Sequence, residues 1–153
     1  MKIPEAVFPI VNAIMRTLLR SPLHRVMSSS ILVIHYQGRR SGRALATPVR
    51  YQRLDGRLRC TTATHTQWWR NVAENPGVSL LVAGSTGDYQ AVIHREDREN
   101  IEKMLCQFLA EFPQDAAYQN IRLNKDKSLN EQDLATALQD AIIVDFVPVT
   151  NQQ

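Results

Sequence analysis

The sequence lacks the features that mark a metal site or a membrane span. It has only two cysteines in 153 residues, Cys60 and Cys106. They stand far apart and form no metal-ligand spacing, and His24, His35, His65 and His94 are equally scattered. No zinc site is expected, and the thiols read as reduced, as in a cytoplasmic protein. No apolar run approaches the roughly 20 residues that span a bilayer as a helix. There is no Gly-x-Gly-x-x-Gly or P-loop pattern, so a Rossmann or nucleotide-kinase reading has no support. No internal repeat or low-complexity tract is found. With 44% apolar and 22% charged residues, residues 1–153 suit one mixed α/β domain, large enough to bury a core.

The net charge of +3 is mild, but the cations are unevenly placed. Between His35 and Arg70 there are eight arginines and one acid, Asp55. From Glu96 to Asp140 there are ten acids and five bases. An arginine-rich half suits an anion, because the planar guanidinium fork matches phosphate and carboxylate. The plainer alternative is a solvated face of strands. Near the N-terminus, Val7, Ile10, Val11, Ile14 and Leu18 recur at helical spacing, so residues 1–24 read as an amphipathic helix. Polar residues interrupt it too often for a signal peptide. It packs on the domain or, in the functional reading, makes a peripheral membrane contact.

Residues 31–147 alternate strand and helix signals. Ile31 to Gln37 reads as a strand, followed by a glycine-bounded turn at 38–42. Ala44 to Leu54 reads as a second strand, with Pro48 marking an edge or bulge. Asp55-Gly56 is a hairpin turn before a third strand, Arg57 to Thr64. A short helix follows at about Gln67 to Glu74, with capping-box spacing at Thr64 and Gln67. Asn75-Pro76-Gly77 stops it. A hairpin across Gly84 to Gly87 joins strands at 78–83 and 88–94. A helix at about Arg95 to Glu111 ends at Phe112-Pro113. Ala116 to Ile121 reads as one helical turn, and Glu131 to Gln139 as a helix capped from Ser128. The apolar run Ala141 to Val147 reads as a central strand. About six strands joined by hairpins imply an antiparallel meander closing into a small barrel.

Two constellations could carry chemistry. In Gly38-Arg39-Arg40-Ser41-Gly42-Arg43 the glycines permit a tight turn, and outward amides with arginines and a hydroxyl form an anion nest. Thr47 adds a hydroxyl at the start of the next strand. In Thr62-Ala63-Thr64 through Trp68-Trp69-Arg70-Asn71 a strand end enters a tryptophan-bearing helix. A planar ligand could lie there, with the helix N-terminus toward its polar edge. The alternatives are an exposed basic hairpin and two tryptophans that simply pack.

The order Gly-Arg-Arg-Ser-Gly, Thr-Pro-Val, Asp-Gly and Trp-Trp-Arg-Asn-Val-Ala-Glu-Asn-Pro-Gly-Val, over about Ile31 to Val82, resembles the deazaflavin-dependent nitroreductase and quinone reductase family. That resemblance implies an α+β fold, an FMN-binding split-barrel-like domain with flanking helices, and a homodimer. It implies an oxidoreductase that passes a hydride from reduced coenzyme F-420, a deazaflavin, to a small nitro or quinone acceptor. Position by position, Arg39, Arg40 and Ser41 match contacts to the cofactor's anionic part. Ala46, Thr47, Pro48 and Val49 match the strand along the ring. Thr62, Ala63 and Thr64 match the next strand end, Trp68 and Asn71 the following helix, and Tyr118 a tyrosine near the reacting ring. The loop His65-Thr66-Gln67 is shorter than the family's, and Leu45 replaces a common basic residue. Those departures bear on the cofactor, leaving FMN as an alternative.

Other readings are a non-catalytic binder of a flavin or a lipid-like ligand, and a nucleic-acid binder. Nucleic acid is set aside, because the glycines and their spacing fit one small anion. The expected setting is cytoplasmic, with membrane association as the alternative.

Overall fold

The structure, a computed structural model, describes residues 30–149. The expected N-terminal helix at 1–24 lies outside them. In chain order the elements are β1 (Ile31–Gln37), β2 (Ala44–Arg50), β3 (Gln52–Leu54), β4 (Arg57–Ala63), α1 (Trp68–Glu74), β5 (Gly77–Val82), β6 (Ser85–His94), α2 (Arg98–Glu111), a 3-10 helix (Pro113–Gln119), α3 (Glu131–Ala137) and β7 (Ala141–Pro148).

The strands form one antiparallel seven-stranded sheet in the order β2-β1-β5-β6-β7-β4-β3. The expected second strand is broken at Tyr51, which makes seven strands of six. Its two pieces, β2 and β3, lie at opposite ends of the sheet yet are joined by Tyr51 alone. One residue bridges the two ends only if the sheet curls round on itself. The closure is incomplete. β3 pairs with β4 only over Arg57–Arg59, so the rest of β4 and all of β2 keep a free edge among the described residues. Pro48 fits this place, since it has no N–H to leave unpaired on the open side. The fold is therefore a split β-barrel with flanking helices, as expected.

β7 pairs with β4 and β6 and is central. Its alternate residues serve two cores. Ile142, Val144 and Phe146 point into the barrel with Leu32, Ile34, Leu80 and Cys60. Ala141 and Ile143 meet Ile101, Leu105 and Phe108 of α2 on the other face. Burial on both faces explains why β7 is almost wholly apolar. The exception is Asp145, which bonds Arg59 of β4 through Nε at 2.8 Å and Nη2 at 3.1 Å.

Local details depart from the sequence reading. Asp55-Gly56 is the hairpin turn, with Gly56 at φ +73°. The β5–β6 turn is instead Ala83-Gly84, because Val82 pairs with Ser85 and both turn residues have positive φ. That pattern matches the right-handed twist of a two-residue hairpin. Helix α1 has no side-chain cap at Gln67; the Thr64 hydroxyl donates to Asp140 instead. Helix α3 is capped by Asn130, which accepts from the Asp133 amide, and not by Ser128.

Candidate functional site

The arginine turn is closed by its own backbone. Gly38 N donates to Arg43 O at 2.9 Å and Gly42 N to Gly38 O at 2.8 Å, with Gly42 at φ +68°. The Ser41 hydroxyl curls inward and accepts from the Arg43 amide. A side chain at Gly38 would place its Cβ 2.7 Å from that hydroxyl oxygen, so glycine makes room for the inward Ser41 hydroxyl. The amides of Gly38, Arg39, Gly42 and Arg43 are all taken by partners within the protein, which leaves only those of Arg40 and Ser41 from the outward nest expected from the sequence.

The arginines of the turn have different roles. Arg39 donates from its backbone N and from Nη1 to Asn71 Oδ1, at 2.9 and 3.1 Å, and from Nη2 to Gln67 Oε1. Asn71 in turn donates to the Gln67 carbonyl. Arg39 and Asn71 thus clip the turn to helix α1. Arg40 is exposed and makes no polar contact among the described residues. The rest of the arginine cluster is largely engaged within the protein. Arg59 and Arg57 face Asp145, Arg50 pairs with Asp115, and Arg70 lies over the Trp69 ring.

A cleft of about 410 Å³ opens at the split, between the free edges of β2 and β4. Ile31, Pro48, Val49, Trp68 and Phe108 give it apolar walls, with Thr61, Arg50, Asp115 and Tyr118 as polar members. Of the residues picked from the sequence, Pro48, Val49, Trp68 and Tyr118 meet here. Tyr118 stands at the rim, 54% exposed, and also borders a smaller hollow with His65, Ala63 and Asp140. Trp68 and Trp69 are both buried. Trp68 turns to the cleft, while Trp69 donates from Nε1 to Ala63 O.

The remaining picks do not line the cleft. Ala46 is buried. Thr47 bonds Tyr36 through their hydroxyls at 2.8 Å. Burial raises the Tyr36 phenol above its ordinary range, and the Thr47 bond partly offsets this. Thr62 is fully buried and bonds Thr66 at 2.6 Å. Thr62, Ala63 and Thr64 are thereby knitted to the start of α1 and to Asp140.

Sequence reasoning missed the ion pair on the cleft wall. Arg50 Nε lies 2.8 Å from Asp115 Oδ2, Nη1 donates to Ser30 Oγ at 3.0 Å, and the guanidinium sits over Phe112. The available signal was the position of Arg50, directly after the Pro48-Val49 segment that resembles a ring-lining strand.

β2 leads from the arginine turn to the cleft wall at Pro48, Val49 and Arg50, a spacing that suits a planar ring with an anionic tail. Comparison with solved structures supports the fold. An FMN-binding, pyridoxamine 5'-phosphate oxidase-related protein from Nostoc punctiforme superposes with a TM-score of 0.54 at 13% identity, covering 90% of this chain and 79% of that one. An F420 reductase does so with 0.52 at 15%, covering 88% and 93%. A protein related to general stress protein 26, from Clostridium acetobutylicum, gives 0.51 at 16%, covering 86% and 84%. No curated protein matches the sequence significantly. The sequence model of F420H(2)-dependent quinone reductases matches residues 11–127, a span that holds the turn, the strands of the split and Tyr118. The chain belongs to the F420H(2)-dependent quinone reductase family.

Proposed function

We propose that the cleft at the barrel split holds the deazaflavin ring of coenzyme F-420 against Pro48, Val49 and Trp68, with the phosphate-bearing end at the Gly38–Arg43 turn. The observation that carries this is that two elements connect turn and cleft: β2 begins at the turn and ends on the cleft wall at Pro48 and Val49, and α1, which holds Arg39 through Asn71, puts Trp68 in the same wall. When bound in its reduced form, the cofactor supplies a hydride. The chain supplies position, charge and exclusion of water. Arg40 is the uncommitted cation for the phosphate, and Ser41 offers a hydroxyl beside it. Arg39 and Asn71 hold the turn in register with α1. Tyr118, at the rim, faces the open side, where its hydroxyl can orient a quinone or other small acceptor and donate a proton.

Pairing of two chains belongs to the same reading, because a second copy along the free β2 edge would cover the open side. Among the described residues no helix is long and apolar enough to cross a membrane. A peripheral contact through residues 1–24 rests on the sequence pattern alone.

Titration of the purified protein with oxidised coenzyme F-420 and, separately, with FMN tests the cofactor. A shift of the deazaflavin absorption that saturates at one equivalent is expected. Binding of FMN alone would reassign the cofactor, and binding of neither would end the proposal.

A further inference from the structure

With the cofactor's phosphate at the Gly38–Arg43 turn, as proposed above, the ion pair at Arg50 has no part in holding it. The turn that forms the anion cradle precedes β2, and Arg50 is the last residue of that strand. At about 3.3 Å per residue, Ala44 and Arg50 are roughly 20 Å apart. One phosphate cannot be reached from both ends. Arg50 nevertheless lines the cleft, only partly exposed. Asp115 and Ser30 take Nε and one Nη1 proton. The guanidinium carries five N–H donors, so Nη2 and the second Nη1 proton have no acceptor among the described residues. Asp115, Ser30 and the Phe112 ring fix the plane of the group, which is the arrangement of a preorganised donor, not a flexible surface cation.

Resting on the function proposed above, we infer that Arg50 is a catalytic residue on the acceptor side. It donates a hydrogen bond to the carbonyl or nitro oxygen of the acceptor, on which negative charge grows during reduction. Two-electron reduction of a quinone needs one hydride, from the reduced deazaflavin, and one proton, from the Tyr118 hydroxyl or water. The hydroquinone leaves. As the hydride arrives, charge moves onto the carbonyl oxygens, and a fixed guanidinium stabilises that state more than the neutral quinone. Asp115 is a positioning residue, acting only through Arg50. The acceptor class is thus set: flat apolar molecules carrying at least one oxygen that becomes anionic on reduction.

The test compares wild type with Arg50→Gln, Arg50→Lys and Asp115→Asn. Three quantities are measured: affinity for oxidised coenzyme F-420, steady-state reduction of a neutral naphthoquinone, and binding of that quinone to the oxidised complex, read from tryptophan fluorescence with naphthalene as the oxygen-free control. Arg50→Gln should lower kcat by about 100- to 1000-fold, the range for one lost donor to a developing oxyanion. It should weaken quinone binding but not naphthalene binding, and leave cofactor affinity within about twofold. Arg50→Lys and Asp115→Asn should fall between, since each keeps the charge but loses the fixed fork. Equal loss of cofactor affinity and kcat in Arg50→Gln would place Arg50 at the cofactor and overturn the inference. So would unchanged quinone binding and turnover in a folded Arg50→Gln protein. Failure of wild type to bind coenzyme F-420 would instead remove the proposed function itself.

Discussion

Asp145→Asn should be among the most damaging single substitutions in the domain, although it lies outside the cleft. Asp145 and Arg59 face each other across β7 and β4, and their side chains are 2% and 3% exposed. Asp145 accepts both Arg59 bonds and also approaches His94 Nε2 at 3.2 Å and Arg57 Nε at 3.8 Å. Asparagine keeps one acceptor oxygen but turns an NH2 toward the guanidinium and removes the negative charge, leaving a buried cation whose other side-chain acceptor is Gln107 Oε1, at 3.3 Å. Breaking one side of such a pair costs about 3–5 kcal/mol. Domains of this size lose about 2–4 °C per kcal/mol, so the melting temperature should fall by roughly 6–20 °C. The pair itself is not expected to be strongly stabilising, because taking two charges out of water costs nearly what their attraction returns. The double substitution Arg59→Met with Asp145→Leu should therefore recover much of the loss. The Arg122–Asp133 pair is the control: Arg122 is 74% exposed, and Asp133→Asn should leave the melting temperature almost unchanged. Thermal and urea unfolding of the four proteins decide it. If Asp145→Asn melts within about 2 °C of wild type, the premise that Arg59 depends on this carboxylate is wrong.

Other substitutions probe the cradle and the thiols. Asn71→Ala removes the acceptor shared by two Arg39 donors and should cost about 1–3 kcal/mol in urea unfolding; it should also weaken the cofactor, because the turn is no longer tied to α1. Gly38→Ala should push the Ser41 hydroxyl out of the turn, leaving the fold intact but lowering coenzyme F-420 affinity about tenfold, roughly the loss of one charge-assisted hydrogen bond. Burial, and secondarily the charge of Asp145, push the Cys60 thiol well above its ordinary range. Native Cys60 should resist a thiol reagent at pH 8 while denatured protein reacts at once. Because the folded pKa is raised, the unfolded chain loses this proton first. Stability should fall as pH climbs past the ordinary thiol value, and less steeply in Cys60→Ala.

Local chemistry was legible in the sequence, and long-range pairing was not. Asp-Gly at 55–56 and the glycine-bounded turn at 38–42 carry their conformations in their residue types. Pro48 announced an edge or a bulge, and the run of β7, apolar but for Asp145, announced a central strand. The arginine count suggested an anion-binding half, but partners such as Asp145 lie 86 residues from Arg59, and Asp115 lies 65 from Arg50. Spacing cannot reveal such pairs, so the cluster overstated the cations available to a ligand. The break at Tyr51 was hidden for a similar reason. A strand that bends to serve both ends of a curled sheet reads locally as one strand. The capping patterns at Thr64 and Ser128 failed because each hydroxyl had a nearer partner, Asp140 for the one and Asp126 for the other.

The placement of the cofactor's phosphate at the Gly38–Arg43 turn is tested most directly by Arg40→Ala. Its affinities for coenzyme F-420 and for the same deazaflavin lacking the phosphate should be compared with those of wild type. The expected result is a loss of about tenfold or more for the phosphorylated cofactor, as for a charge-assisted hydrogen bond, and no change for the phosphate-free ring. An equal loss for both, or none for either, would contradict the assignment of the turn as the phosphate cradle.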